Sequence, residues 1–373
     1  ARCEGFHSMT GRLKFDRREF AGAFADLGTS LPLILAVLLA TQLPAAGVLL
    51  SFGLAQIATG VLYGLPMPVQ PLKAMAVVAI AGGASGGMLH LAGLMIGTIM
   101  VLLTMTGILS RLLHLIPRCV VRGLQLGLGL MLAGAACRLI GREQVWLSWP
   151  LAATAIVTLV CLRHHPRWPA GLLVVGAGIV WTALFRVDWQ SSILAGQTVP
   201  PPAPEWPLDQ WATVLIVLVI PQLPLSLGNS VLATHQAARD LFPSRAFTLR
   251  KIGLTYGFIN LAVPWLGGLP VCHGCGGLVG NHAMGARSGG AVVIYGAFFV
   301  AAGLFGSSGF VPLAQAFPAP LLGALLVVEA GSLVALMGSE RHPPGDVILI
   351  VLIGLICALA PQGYVLGMAV GLT

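Results

Sequence analysis

Two interrupted stretches hold most of the chemistry this sequence has to offer. The first reads Pro66-Met67-Pro68-Val69-Gln70-Pro71-Leu72-Lys73-Ala74, and the second reads Pro270-Val271-Cys272-His273-Gly274-Cys275-Gly276-Gly277-Leu278. Three prolines at spacings of two and three force extended backbone, and Pro71 then suits the first position of a helix. The amides of Leu72, Lys73 and Ala74 are therefore expected unpaired at the positive end of a helix dipole. In the second stretch glycines do the same job, exposing N–H groups with no side chain in the way. Two such helix starts make an anion site, and Lys73 adds a full positive charge to one of them. The competing role for Lys73 is a structural ion pair with Asp26 or Glu329, the two acidic residues that fall inside apolar runs. Both carboxylates are candidates for proton coupling, with structural pairing as the alternative.

Cys272, His273 and Cys275 invite two other readings. A structural zinc site takes four ligands, usually as two separated pairs, and no second pair stands nearby, so no metal and no cofactor is expected. An intramembrane enzyme would need a nucleophile–base pair, for which the nearest candidates are Cys272 or Cys275 with His273 or His282. The plainer expectation is that both histidines are packed and that the thiols are small fillers. The seven cysteines are scattered and imply no disulfide framework.

These stretches sit in a chain of 373 residues that is 57% hydrophobic and only 9% charged. A soluble domain carries about 25% charged residues, so a soluble enzyme, a nucleic-acid binder and a disordered chain are all excluded. The 48 glycines and 25 prolines are tolerated by helices in lipid. The expectation is an all-α, multi-pass integral membrane protein whose partner is the lipid bilayer. Apolar runs fall at 20–41, 45–63, 71–85, 90–110, 118–137, 147–162, 169–186, 210–233, 250–266, 275–285, 289–305, 318–337, 346–360 and 362–373. That makes about 14 transmembrane segments.

With the N-terminus cytoplasmic, alternation places Arg12 to Arg18, Arg111 to Arg122, Arg163 to Arg167, Arg239 to Lys251, Arg287 and Arg341 inside, and Asp188, Glu205 and Asp209 outside. The domain reading follows. Residues 1–19 form a cytoplasmic segment, 20–186 a first repeat of seven spans, 187–209 an external linker containing Pro200 to Pro204, and 210–373 a second repeat of seven spans; no soluble C-terminal domain is expected. Leu27-Gly28-Thr29-Ser30 matches Leu227-Gly228-Asn229-Ser230, and Gly64-Leu65-Pro66 matches Gly268-Leu269-Pro270. An odd number of spans separates the copies, so they run in opposite directions, the inverted-repeat architecture of many secondary transporters. The small-residue run from Arg122 to Gly134 suits close helix packing.

On these residues the sequence resembles the molybdate transporter family, a compact branch related to the sulfate permeases. The resemblance rests on Gly22 to Pro32, on Pro66 to Ala76, and on Pro270 to Leu278 followed by His282 and Gly285-Ala286-Arg287, and it extends over nearly the whole chain. It implies a seven-plus-seven inverted-repeat fold with a core domain that holds the oxyanion and a gate domain that it moves against. It implies substrate contacts at Gln70, Lys73 and Ala74 beside the third span and at Cys272, His273, Cys275, Gly276 and Gly277 beside the tenth. Ser30 and Asn229 lie on the flanking first and eighth spans. The expected function is secondary active transport of a tetrahedral oxyanion, molybdate before sulfate or tungstate, with an anion channel as a rival and a homodimer as a candidate assembly.

Overall fold

The computed structural model describes residues 13–115, 117–141, 145–162, 170–185, 206–245, 247–305, 316–335, 343–360 and 363–372. The Pro200 to Pro204 linker, the Arg163 to Arg167 cluster and Arg341 lie outside the described residues. Each apolar run of the sequence becomes helical. The first run holds two helices, α1 (Arg17–Ala23) and α2 (Leu27–Thr41), separated by a turn at Phe24, Ala25 and Asp26. Asp16 caps α1 by accepting from the amides of Arg18 at 2.9 Å and Glu19 at 3.0 Å. The remaining helices of the first half are α3 (Ala45–Tyr63), α4 (Lys73–Ile80), α5 (Gly86–Met105), α6 (Ile108–Leu115), α7 (Arg118–Ile140), α8 (Val145–Leu162) and α9 (Ala170–Phe185).

The second half opens with α10 (Leu208–Leu241), a 34-residue helix. It widens into π-helical turns at Leu215–Val219 and Ser226–Ala233. Pro221 and Pro224 explain the irregularity, because each removes a helical amide and its ring crowds the carbonyl four residues earlier. Then come α11 (Leu249–Ala262), α12 (Cys275–Ala283), α13 (Gly290–Phe305), α14 (Ala319–Ala335), α15 (Pro344–Leu359) and α16 (Gly363–Leu372). Among the described residues, five helical segments are long and apolar enough to cross a membrane: Arg17–Thr41, Ala45–Tyr63, Gly86–Met105, Arg118–Ile140 and Leu208–Leu241.

The helices pack in two groups. One contains α2 to α5 with α10 to α13; the other contains α7 to α9 with α14 to α16. Partners exchange as a two-fold relation requires. The α3–α13 pair becomes α11–α5 under a shift of one repeat, and α7–α15 becomes α14–α8; all four pairs are in contact. The groups meet where α2 packs on α9 and α14, and where α4 and α10 pack on α7. Gly28 of α2 and Gly171 of α9 allow a close approach between the groups, since a Cβ on Gly28 would lie 2.8 Å from the Gly171 Cα.

Helix is not the whole architecture. Extended backbone imposed by the prolines becomes strand β1 (Val69–Pro71), paired antiparallel with β2 (Val271–His273), with Gln70 opposite Cys272. Two further bonds flank the ladder symmetrically, Leu72 N–H to the Pro270 carbonyl and Gly274 N–H to the Pro68 carbonyl, both at 2.9 Å. Pro68 therefore corresponds to Pro270, which shifts by two residues the sequence match that set Pro66 against Pro270. A buried side-chain amide then clamps each strand. Gln56 of α3 donates to the Val69 carbonyl at 2.8 Å and accepts from its N–H at 3.1 Å. Asn260 of α11 does the same to Val271, at 2.6 Å and 2.9 Å.

These clamps supply what lipid cannot, because unsatisfied backbone in the membrane interior is costly. Asn260→Leu should orphan both backbone groups of Val271, each at a cost of about 1–3 kcal/mol. A large fall in the thermal unfolding midpoint of detergent-purified protein is expected, and Gln56→Leu should match it. An unchanged midpoint in both variants would contradict the clamp.

Candidate functional site

The strand crossing fixes where α4 and α12 begin. Each helix starts within two residues of its strand, and both starts open on one cavity of about 470 Å³. Of the residues singled out from sequence, Asp26, Gln70, Lys73, Asn229, Cys272, His273, Cys275, Gly276, Gly277 and Glu329 line it. Ser30 and Ala74 are not among the lining residues. Ser30 is buried and its hydroxyl donates to Asp26 Oδ2 at 2.5 Å, so it supports a cavity residue from behind.

The two helix starts are not equivalent, and the expectation of unpaired amides at the first is corrected at Leu72 and Ala74, whereas the Lys73 amide has no acceptor among the described residues. Leu72 N–H is spent on the Pro270 carbonyl, and Ala74 N–H donates to Gln222 Oε1 at 3.1 Å. Gln222, a polar residue of α10 that lines the cavity, thus plugs the start of α4. It is held in turn by Ser226, to which its Nε2 donates at 3.1 Å. At α12 the amides of Cys275, Gly276 and Gly277 have no acceptor among the described residues. A Cβ on Gly276 would meet nothing within 4 Å, so this residue presents bare backbone to the cavity; a Cβ on Gly277 would lie 2.6 Å from Pro68 Cγ and 3.0 Å from the Asp26 carboxyl carbon.

The charged groups are arranged around these helix starts. Lys73 Nζ is ion-paired with Glu329 of α14. Asp26 accepts from Gln70 Nε2 at 2.5 Å as well as from Ser30. On the far side Arg122 donates to Gln125 Oε1 at 3.1 Å, and Gln125 Nε2 donates to Asn229 Oδ1 at 2.6 Å, a polar chain from α7 to a π-helical turn of α10. His273 is a packed histidine, its Nε2 2.9 Å from Thr255 Oγ1 and its ring edge-on to Tyr63. His282 stands edge-on to Phe242, ring centroids 5.3 Å apart. Among the described residues no group of three His, Cys, Asp or Glu side chains gathers as a metal site.

Sequence reasoning missed Gln222, Arg122, Thr29 and Ser332, all of which line the cavity. Gln222 had a signal, being a polar residue between two prolines in an apolar run. Arg122 was absorbed into the cytoplasmic charge cluster, although it stands more than one turn inside α7.

Comparison with known proteins places these residues in context. The model of a family described as "Molybdate transporter of MFS superfamily" matches residues 18–132 and 214–333; those two blocks contain every residue lining the cavity. Molybdate transporter 1 of Arabidopsis thaliana is 31% identical over 386 residues, covering 91% of this chain and 84% of the relative. Molybdate transporter 1 of Chlamydomonas reinhardtii is 28% identical over 470 residues, covering 95% and 90%. Among solved structures, the transmembrane domain of the cyanobacterial bicarbonate transporter BicA aligns with a TM-score of 0.65 at 16% identity, covering 92% of this chain and 97% of that one. Murine Slc26a9, an anion transporter in its inward-facing state, aligns with a TM-score of 0.68 at 14% identity, covering 100% and 71%. The fold is that of these transporters.

The two glycines should separate in a stability measurement. Gly277→Val forces a side chain against Pro68 and should lower the unfolding midpoint by several degrees, as overpacking costs about 1–3 kcal/mol. Gly276→Ala enters open space and should leave the midpoint within a degree or two. Equal losses at both positions would contradict the geometry.

Proposed function

Because the chain belongs to the molybdate transporter family, we propose that it carries molybdate, a tetrahedral dianion, bound in this cavity between the start of α12 and Lys73. The chain is a membrane transporter and not an enzyme, as its relatives are named. The observation that carries the binding site is the open start of α12. Three consecutive amides, one of them on a glycine facing free space, point to a ligand that accepts hydrogen bonds and carries negative charge. Lys73 lines the same cavity and supplies an ammonium with three donors. Gln70, held by Asp26, and Asn229, held by Gln125, add neutral polar groups to the lining, while Cys272 and Cys275 fill space.

The charge balance constrains the transport cycle. Lys73 and Arg122 offset Asp26 and Glu329, so the ionised cavity is formally neutral. A dianion added to it leaves two uncompensated charges in a poorly solvated place, which favours entry of a proton or cation alongside. Asp26 and Glu329 are the groups to receive a proton. Transport proceeds by alternating access, with the α2–α5/α10–α13 group moving against the α7–α9/α14–α16 group, and the charge asymmetry of the loops supports a cytoplasmic N-terminus. Sulfate is the runner-up substrate, since it has the same shape and charge and is smaller; cavity size and donor placement have to discriminate.

Titration calorimetry on purified protein tests the site. Molybdate should bind saturably and more tightly than sulfate. Lys73→Ala should weaken binding by about 1.5–3 kcal/mol, the worth of a hydrogen bond to a charged group, while Cys272→Ser and Cys275→Ser should bind as the parent does. Gly276→Val, which fills the space in front of the amides, should bind far less with its unfolding midpoint intact. A dead Cys275→Ser beside an active Gly276→Val would overturn the helix-start site. Uptake against a gradient would exclude the channel reading.

A further inference from the structure

Glu329 stands out on α14. It is the sole charged residue in the seventeen-residue helix Ala319–Ala335, and its carboxylate is spent on Lys73. The two partners belong to different helix groups, Lys73 to the first residue of α4 and Glu329 to α14, and both line the cavity. Lys73 follows on the strand crossing, so its backbone is held in place, and it lines the same cavity as the open start of α12. We infer that Glu329 is a tethered stand-in for the transported oxyanion: it competes for Lys73, and while bound there it latches the two helix groups together.

Three physical points carry the inference, which rests on the proposed anion site. A carboxylate and a tetrahedral oxyanion present the same partner to an ammonium, namely negatively charged oxygens within hydrogen-bond reach. Both cannot share Lys73 without two like charges lying a few ångströms apart in a site of low dielectric. Glu329 must therefore withdraw, or lose its charge, as the anion arrives. Withdrawal breaks an ionic tie between the groups, so anion binding and release of the latch become one event. The remaining ionisable groups lining the cavity are Asp26, Arg122, Cys272, His273 and Cys275. Asp26 is held by Ser30 and Gln70 and Arg122 by Gln125, so each of those charges is engaged elsewhere while Glu329 holds Lys73.

Glu329→Gln tests the competition and the latch in separate arms. In calorimetry the variant should bind molybdate on the order of tenfold more tightly, because the competing state that reduces apparent affinity is removed. That gain should vanish when Lys73→Ala is combined with it. Glu329→Asp, which keeps the charge on a shorter arm, should show a smaller gain and guards against a folding defect in the first variant. In the second arm, hydrogen–deuterium exchange without any ligand should rise along α4 and α14 in Glu329→Gln and leave α3 and α13 unchanged. Unchanged or weaker affinity in both Glu329 variants, or a gain that persists in the Lys73→Ala background, would overturn the competition. Unchanged exchange would overturn the latch. Absence of molybdate binding by the parent protein, with faster α4 and α14 exchange in Glu329→Gln, would instead condemn the site assignment and leave the latch standing.

Discussion

Extended backbone inside a bilayer has to find every hydrogen bond within the protein, and the crossing of β1 and β2 is where this chain meets that demand. Lipid offers no donors or acceptors, so each strand is paired with the other. The ladder is closed at either end by the Leu72–Pro270 and Gly274–Pro68 bonds, and the outer edges are capped by Gln56 and Asn260. The prolines make this possible as well as necessary. They break the helix, and they carry no amide that would itself need a partner. Everything downstream depends on the crossing, because it sets where α4 and α12 begin and hence which amides face the cavity.

The two-fold relation that builds the crossing is broken in the side chains. Lys73 of the first half corresponds to Cys275 of the second, by the same offset that relates Pro68 to Pro270. One helix start therefore carries the ammonium and has its Ala74 amide taken by Gln222; the other carries glycines and leaves the equivalent Gly276 amide open. A tetrahedral anion between them would meet charge on one side and backbone dipoles on the other. This division of labour suits transport, since charge can be neutralised by a mobile partner such as Glu329 whereas backbone amides cannot be turned off. On the proposed site, binding strength and its release would reside in different halves of the fold.

Much of this was legible in the sequence. Runs of apolar residues gave the helices, and the proline spacing in Pro66 to Pro71 gave the extended break and its following helix. Lys73 was readable as a residue with either a substrate or an acidic partner, and Glu329 was one of the two acids named. What escaped was long-range. Gln56 and Asn260 are polar residues in apolar helices, and only the folded chain brings them to strands 13 and 11 residues away. Gln222 reaches an amide 148 residues distant, so its plugging of α4 left no local trace. Gly276 and Gly277 look alike as neighbours in one motif, yet helical geometry turns the first to open space and the second onto Pro68. The chain is mostly helical, as expected; what the sequence did not show is that the two extended breaks pair with each other.

The central claim is that an oxyanion is held by the start of α12 opposite Lys73. Crystals of the protein grown with molybdate, measured at the molybdenum absorption edge, locate the metal atom independently of any assumption about the site. The account predicts a single strong anomalous peak in the cavity, with the anion's oxygens within hydrogen-bond distance of the Gly276 amide and Lys73 Nζ, and with Glu329 withdrawn from the lysine. A peak away from α12, or one at the cysteine sulfurs with the Lys73–Glu329 pair intact, would contradict it.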